Sequence, residues 1–286
     1  MDLCNPKTIK DIMSQSGIAF RHELGQNFLI DSSVPERIAD ECSDSSDAVI
    51  LEIGPGIGCL TSELAKRYRK VVAVEIDTGL IPVLEKTVGG YDNVKVINAD
   101  IMKTDIVKLM EEESDGREVC VCANLPYYIT TPIIMKLLEC GYPFSSVTVM
   151  VQSEVADRLT ATEKDREYGA ITVSIRYYGE CLRLFSVPRG CFMPMPKVNS
   201  AVVKIDMYQT PKYLPKNAGL FFGIVRAAFD MRRKTVVNAI NLRYPKYGKE
   251  YLSQVLESLG IDINVRGERL SVSDFVAISD VLASGQ

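Results

Sequence analysis

The sequence predicts an α/β protein: a mostly parallel sheet with helices on both faces, followed by a small helical domain. Three observations predict it. Continuous apolar segments recur at "AVILEI" (48–53), "KVVAVEID" (70–77), "NVKVINAD" (93–100), "EVCVCAN" (118–124) and "SVTVMVQ" (146–152). Strands buried on both faces of a sheet read in this way. Helical patterns fill the gaps, the alternation that builds parallel sheets. After about residue 208 the apolar residues fall at helical spacing instead.

The elements follow in order. "SVPERIADEC" (33–42) opens a helix, with Ser33 and Glu36 placed as a capping box and Pro35 suited to a first turn. The first strand runs into "GPGIG", and "CLTSELAKRY" (59–68) is the next helix. Strands over 178–186 and 198–206 are expected to close one edge of the sheet. "YQTPKYLPKN" (208–217), with its two prolines, is the expected linker, so domains of 1–207 and 208–286 are predicted. In the second domain Leu220, Phe221, Ile224, Val225, Ala228 and Phe229 form one helical stripe. Another helix follows over 251–260 with Gly260 as its C′ residue, and Ser271 with Asp274 caps a last helix through Leu282.

Composition narrows the class. Hydrophobic residues make up 47% and charged residues 24% of the 286 residues, an ordinary globular balance. No apolar run reaches a membrane span, and "MDLCNPKTIK" lacks the apolar core of a secretory signal. Eight cysteines include no C-x-x-C pair. Cys120 and Cys122 point to one face of a strand and read as small core residues. A reduced, cytoplasmic protein is expected. One histidine, His22, leaves little scope for a metal site, so none is expected. The net charge of −4 argues mildly against a nucleic-acid partner, although such binding needs only a local basic face.

Ligands of open parallel sheets bind beyond the carboxyl ends of the strands. The first strand ends in Glu52-Ile53-Gly54-Pro55-Gly56-Ile57-Gly58, where glycines allow a tight turn and close approach to a ligand. The spacing is not the G-x-G-x-x-G of dinucleotide binding. The second ends in Glu75, suited to both hydroxyls of a ribose; the third ends in Asp100, suited to the amine of a base. Together they indicate a nucleoside cofactor, and without a pyrophosphate fingerprint S-adenosyl-L-methionine is favoured over NAD. The fourth strand leaves through Asn124-Leu125-Pro126-Tyr127. An amine conjugated to an aromatic ring is a poor nucleophile, because its lone pair is delocalised. The Asn124 amide oxygen and the Leu125 carbonyl can accept from such an amine and direct its lone pair. Pro126 fixes the turn, and Tyr127 can stack on the base.

At this point the chain resembles the KsgA-type small-subunit ribosomal RNA adenine dimethyltransferases, a branch of the Rossmann-like S-adenosylmethionine-dependent methyltransferases. The resemblance rests on "GQNFL" (25–29), "LEIGPGIGCLT" (51–61), "VEID" (74–77), "NAD" (98–100), "NLPYYI" (124–129), "FMPMPKVNSAV" (192–202), "FDMRRKTVVNAI" (229–240) and "RGERLSVSDF" (266–275), in that order along nearly the whole chain. Met195 stands where the family has a proline. The resemblance implies two methylations on each of two adjacent adenosines near the 3′ end of small-subunit (16S) rRNA, and a part in ribosome assembly. It implies cofactor contacts from Asn27, Leu29, Gly54, Glu75, Asp100 and Asn124. Tyr127 and Phe192 would sandwich a flipped adenine.

Lys197 near the target loop, with Arg232, Arg233 and Lys234, forms the expected RNA-binding set, countering the acidic net charge. The expected partners are small-subunit rRNA and the pre-small ribosomal subunit, met by a monomer away from any membrane. Rival readings are a large-subunit rRNA adenine methyltransferase of the antibiotic-resistance type, a mainly structural assembly factor, and a DNA adenine methyltransferase.

Overall fold

Apolar β-branched runs become the interior of the sheet. The computed structural model describes residues 1–15 and 26–285. His22 and Gly25 lie outside the described residues. The first unit carries α1 (Pro6–Gln15), β1 (Phe28–Leu29), α2 (Ser33–Asp40), β2 (Val49–Ile53), α3 (Cys59–Arg67), β3 (Lys70–Glu75), α4 (Ile81–Thr87), β4 (Val94–Asn98), α5 (Ile106–Glu113), β5 (Val119–Asn124), α6 (Thr130–Glu139) and β6 (Ser146–Gln152). Along the chain then follow α7 (Ser153–Thr160) and α8 (Ala170–Tyr178), which lead into the second unit, and β7 (Gly179–Val187), β8 (Phe192–Met193) and β9 (Ser200–Met207), which return to the first.

Seven strands lie in the order β4-β3-β2-β5-β6-β9-β7. The pairs β2–β3, β2–β5, β3–β4 and β5–β6 are parallel, and β6–β9 is antiparallel. Ile50, Val71, Cys120, Cys122 and Val202 share one core with Ile38 of α2 and with Leu60 and Leu64 of α3. Their opposite-facing neighbours Leu51, Val72 and Val121 are equally buried. Both faces are therefore covered, and the interior strands lose the alternation that an exposed face imposes. Cys120 and Cys122 sit in this core as expected. No helix among the described residues is long and apolar enough to cross a membrane.

The start of α2 differs from the expected capping box. Ser33 already lies in the helix and Ser32 is the cap residue, with no side-chain bond. Asp31 takes the capping part, accepting the backbone N–H of Ser33 at 3.0 Å and its hydroxyl at 2.7 Å. A short acceptor just before the first turn competes with a capping box, and here it prevails.

The second unit contains α9 (Ala218–Asp230), α10 (Val236–Arg243), α11 (Lys249–Ser258) and α12 (Val272–Ser284). Ser271 and Asp274 do form the capping box of α12. Gly260, with φ of 69°, follows the end of α11 as expected. The expected single cut after residue 207 needs correction. The second unit comprises 157–180 as well as 210–286. Its core shows why. Tyr168 and Val173 are buried among Phe221, Ile240 and Phe275, and the Tyr168 hydroxyl donates to the Leu270 carbonyl at 2.9 Å. No proline-rich linker marks this excursion, so composition could not reveal it.

Candidate functional site

The chain runs outward from β2 through β3 to β4, then returns to place β5 on the other side of β2. This reversal is a switch point, where the loops leaving two neighbouring strands diverge and open a crevice. The glycine loop after β2 and the Asn124 exit of β5 are thereby neighbours.

The glycine loop is shaped by left-handed residues: Gly54, Gly56 and Gly58 have φ of 68°, 61° and 93°. Two of them also permit close packing. A Cβ on Gly56 would lie 3.3 Å from Cε1 of Phe28, so the segment carrying β1 rests against the loop. A Cβ on Gly58 would lie 2.7 Å from Cγ1 of Val88. Gly58→Ala therefore meets both a backbone and a steric penalty, and about 1–3 kcal/mol of stability should be lost. Thermal unfolding checks this; an unchanged melting temperature contradicts the packing argument.

Glu75 ends β3 and is 5% exposed. Its Oε2 accepts the Gly56 N–H at 3.2 Å and its Oε1 accepts the Asp77 N–H at 2.8 Å. Burial pushes its carboxyl above the ordinary range, against the pull of these backbone donors. Asp77 in turn accepts from Gln26 Nε2 at 2.9 Å and from the Gly79 N–H at 3.0 Å. A line of hydrogen bonds thus runs from the N-terminal segment through Asp77 and Glu75 to the glycine loop. Asp100 accepts the Met102 N–H at 2.9 Å. Apolar Ile76, Ile101 and Met102 lie beside these acids, and Ile76 stays 50% exposed.

Glu52 precedes the loop on β2. It is 1% exposed, and its Oε2 has no hydrogen-bond partner. Burial pushes its carboxyl up to about 8, reinforced by the charge of Glu75; the nearby Thr61 hydroxyl is likewise buried without a hydrogen-bond partner. It is held as a neutral acid near pH 7.

At the β5 exit the Leu125 N–H donates to the Met150 carbonyl at 3.2 Å. The Pro126 carbonyl accepts the Ile129 N–H at 3.2 Å and the Thr130 hydroxyl at 3.0 Å, which starts α6. The turn is fixed from both sides. The Tyr127 hydroxyl shares a 2.6 Å hydrogen bond with Ser200 of β9, and burial raises its phenol above the ordinary range.

One cavity collects most of the predicted residues. Asn27, Leu29, Gly54, Glu75, Asp100 and Asn124 line it, as do Leu125 and Tyr127. Phe192 does not. It is 2% exposed and pairs with Leu29 in the β1–β8 ladder. Lys197 is exposed and also lies outside the cavity lining. Residues that sequence reasoning missed are Glu52, Gln26, Asp77, Ile76 and Tyr128, the last 58% exposed. A charged residue inside the apolar run "VILEI" was the available signal for Glu52.

The described lining holds three acids, Glu52, Glu75 and Asp100, and no Lys, Arg or His. That suits a nucleoside bearing positive charge and disfavours a pyrophosphate. A buried, partnerless carboxyl oxygen fits such a group as well, because a cation would satisfy it.

Away from the cavity the expected basic set divides. Arg233 and Lys234 are exposed, between α9 and α10. Arg232 is exposed too, yet it is also bonded within its own unit. Its Nη2 donates to the Arg166 carbonyl at 2.9 Å and lies 3.5 Å from Glu268 Oε2. It ties the 157–180 segment to the rest of the unit.

Residues 17–284 match the family described as ribosomal RNA adenine dimethylase. The chain belongs to the ribosomal RNA adenine dimethylase family. Among relatives of this dimethylase, Ribosomal RNA small subunit methyltransferase A of Bacillus pumilus is 44% identical, over 98% of this chain and 97% of that protein. The protein of the same name from Alkaliphilus oremlandii is 45% identical, over 98% of each. Among solved structures, a dimethyladenosine transferase from Plasmodium falciparum superposes with a TM-score of 0.72 at 27% identity, covering 87% of this chain and 95% of that one. The 23S rRNA methyltransferase ErmE gives 0.68 at 27% identity, over 90% and 100%. The dimethylase family's Rossmann-like sheet is the one described above.

Proposed function

We propose that this chain is a cytoplasmic S-adenosylmethionine-dependent enzyme that dimethylates two adjacent adenosines, at the exocyclic amine, near the 3′ end of small-subunit rRNA. The carrying observation is the Asn124 exit of β5, which lines the same cavity as the glycine loop and Glu75, a cavity whose described lining is rich in acids and holds no Lys, Arg or His. Full-length identity of 44–45% to proteins named for the small subunit favours that substrate over the 23S rRNA named for ErmE.

When bound, the cofactor supplies a methyl group already activated on a sulfonium. Glu75 accepts the ribose hydroxyls while keeping its two backbone bonds, since each carboxylate oxygen has a second lone pair. Ile76 and Ile101 offer apolar faces for the purine, and Asp100 accepts from its amine. Asn124 Oδ1 and the Leu125 carbonyl accept from the target amine, so its lone pair is turned toward the methyl group. These acceptors gain strength as positive charge grows on the nitrogen, and this lowers the barrier. After each transfer the nitrogen loses a proton to solvent, and the monomethylated amine still offers one N–H for the second round. Tyr127, anchored through Ser200, stacks on the base. For Phe192 to form the opposite wall, the β1–β8 pair must shift when RNA binds.

Calorimetry tests the cofactor. S-adenosylmethionine should bind and NAD should not; the reverse preference overturns the reading.

RNA affinity is assigned to Arg233, Lys234 and Lys197. Arg233→Ala with Lys234→Ala should lower the salt slope of subunit binding by about two charge equivalents, with cofactor affinity unchanged. Arg232 is kept, because its loss would also loosen the 157–180 segment. An unmoved slope would leave the pair as a solvated turn.

A further inference from the structure

We propose that Lys136 is a positioning residue for the cofactor's base: it holds the turn that carries Asp100 and so sets the preference for a purine with a 6-amino group. The inference rests on the cofactor reading above. It starts from a lysine bonded to backbone rather than to an acid. Lys136 is half-buried in the second turn of α6, and Glu139 stands three residues further along the same helix. Helical lysines ordinarily reach into water or toward such an acid. The Lys136 ammonium instead donates to the Met102 carbonyl at 2.7 Å and to the Thr104 carbonyl at 2.9 Å.

Those two carbonyls belong to the tight turn that follows β4. The Asp100 carbonyl accepts the Lys103 N–H at 2.9 Å, the Thr104 N–H at 3.0 Å and the Thr104 hydroxyl at 2.9 Å. Asp100 Oδ1 accepts the Met102 N–H at 2.9 Å. These bonds shape the turn, but they run inside it and do not fix its place. Its entry is tied to β3, where the Asn98 amide and the Ala99 N–H donate to the Glu75 carbonyl at 2.8 Å and 3.0 Å. Its exit is tied by Lys136. Asp100, Ile101 and Met102 line the cavity and Lys136 does not, so Lys136 acts through the turn. An ammonium suits this task. Its three donors can serve two carbonyls, and a charged donor makes stronger hydrogen bonds than a neutral one.

The consequence is a preference among bases. Among the described residues Asp100 Oδ2 has no hydrogen-bond donor, and the Lys103 ammonium, 86% exposed, lies 3.7 Å from it. A carboxylate accepts from a 6-amine and repels a 6-oxo group. A fixed Asp100 therefore favours adenine over hypoxanthine. A loose turn would align poorly with the amine and could swing away from the oxygen, so the preference is only as sharp as the turn is fixed. The helix that supplies Lys136 also begins on the strand exit, where Thr130 donates to the Pro126 carbonyl and Ile133 lines the cavity.

Calorimetry of the full chain with S-adenosylhomocysteine and S-inosylhomocysteine, which differ only in the 6-amino or 6-oxo purine, tests this. Wild type should prefer the adenosyl ligand. Lys136→Met keeps the stem and removes the donors. It should bind S-adenosylhomocysteine about tenfold more weakly and the inosyl ligand nearly as before, so the preference falls about tenfold. Lys136→Arg keeps a cation able to serve both carbonyls and should retain most of the preference, with Lys136→Gln in between. General loosening of the fold would weaken both ligands alike and leave their ratio unchanged. Asp100→Ala should lose the preference by itself, and adding Lys136→Met should lower it no further, as for two residues acting through one contact. If Lys136→Met does not fold, the arginine and glutamine variants carry the same comparison. A full preference in Lys136→Met and Lys136→Gln, or a further fall on top of Asp100→Ala, overturns the proposal and leaves the cofactor reading standing. Wild type that binds both ligands equally also overturns it. Wild type that binds neither overturns the cofactor reading as well.

Discussion

Asn124→Ala should slow methyl transfer about a hundred- to a thousandfold, the loss seen when a preorganised transition-state contact is removed. The amide stands at the last position of β5, beside Met150 of β6 in a parallel register, so the strand itself sets its place. The bond it offers the target amine is stronger in the transition state than in the ground state, because the nitrogen becomes positive. The loss should therefore appear in the single-turnover rate far more than in RNA affinity. Asn124→Asp is an informative companion. It retains an acceptor, and partial activity in that variant would separate acceptance by Oδ1 from mere filling of the exit. Near-normal rates of both methylations in a folded Asn124→Ala variant would reduce this strand exit to a turn.

The second large effect belongs to Glu75. Glu75→Ala should weaken cofactor binding at least tenfold, since charge-assisted hydrogen bonds contribute roughly 1.5–3 kcal/mol each. The loss has two sources. The proposed ribose contacts would disappear, and the Gly56 and Asp77 N–H groups lose their acceptor, so the glycine loop and the turn after β3 relax. Glu75→Gln separates them. Its single carbonyl oxygen can serve one backbone donor, while its NH2 opposes the other. Isothermal titration should rank wild type above Glu75→Gln, and Glu75→Gln above or equal to Glu75→Ala. Equal affinity for all three would remove Glu75 from the site.

Much of this was legible in the sequence because its physics is local. Continuous apolar runs could be little else than strands buried on both faces, and the residues after them had to fall at the sheet's carboxyl edge. Gly54, Glu75, Asp100 and Asn124 were placed by that rule, and one cavity gathers them. Other features depend on contacts between distant segments. Nothing in "FL" and "FM" announces that Leu29 pairs with Phe192, and that pairing buries the ring expected at the base. Arg232 reads as a solvated charge until the Arg166 carbonyl, 66 residues away, is found 2.9 Å from it. Segment 157–180 joins the second unit through the burial of Tyr168, and no spacing rule reports such burial. Glu52 was hidden by its neighbours, since one acid in five strand residues passes for a strand end.

The central claim is that this cavity dimethylates adenosine in small-subunit rRNA, and one measurement bears on it most directly. Small ribosomal subunits lacking the modification are incubated with the protein and labelled S-adenosylmethionine, and the digested rRNA is mapped by mass spectrometry. The account predicts N6-dimethyladenosine at two adjacent positions near the 3′ end of the small-subunit RNA, and no label when Asn124→Ala replaces wild type over the same time. Methylation of some other base in place of two adjacent adenosines near the 3′ end, or no methylated adenosine from a protein that binds both cofactor and subunit, would contradict it.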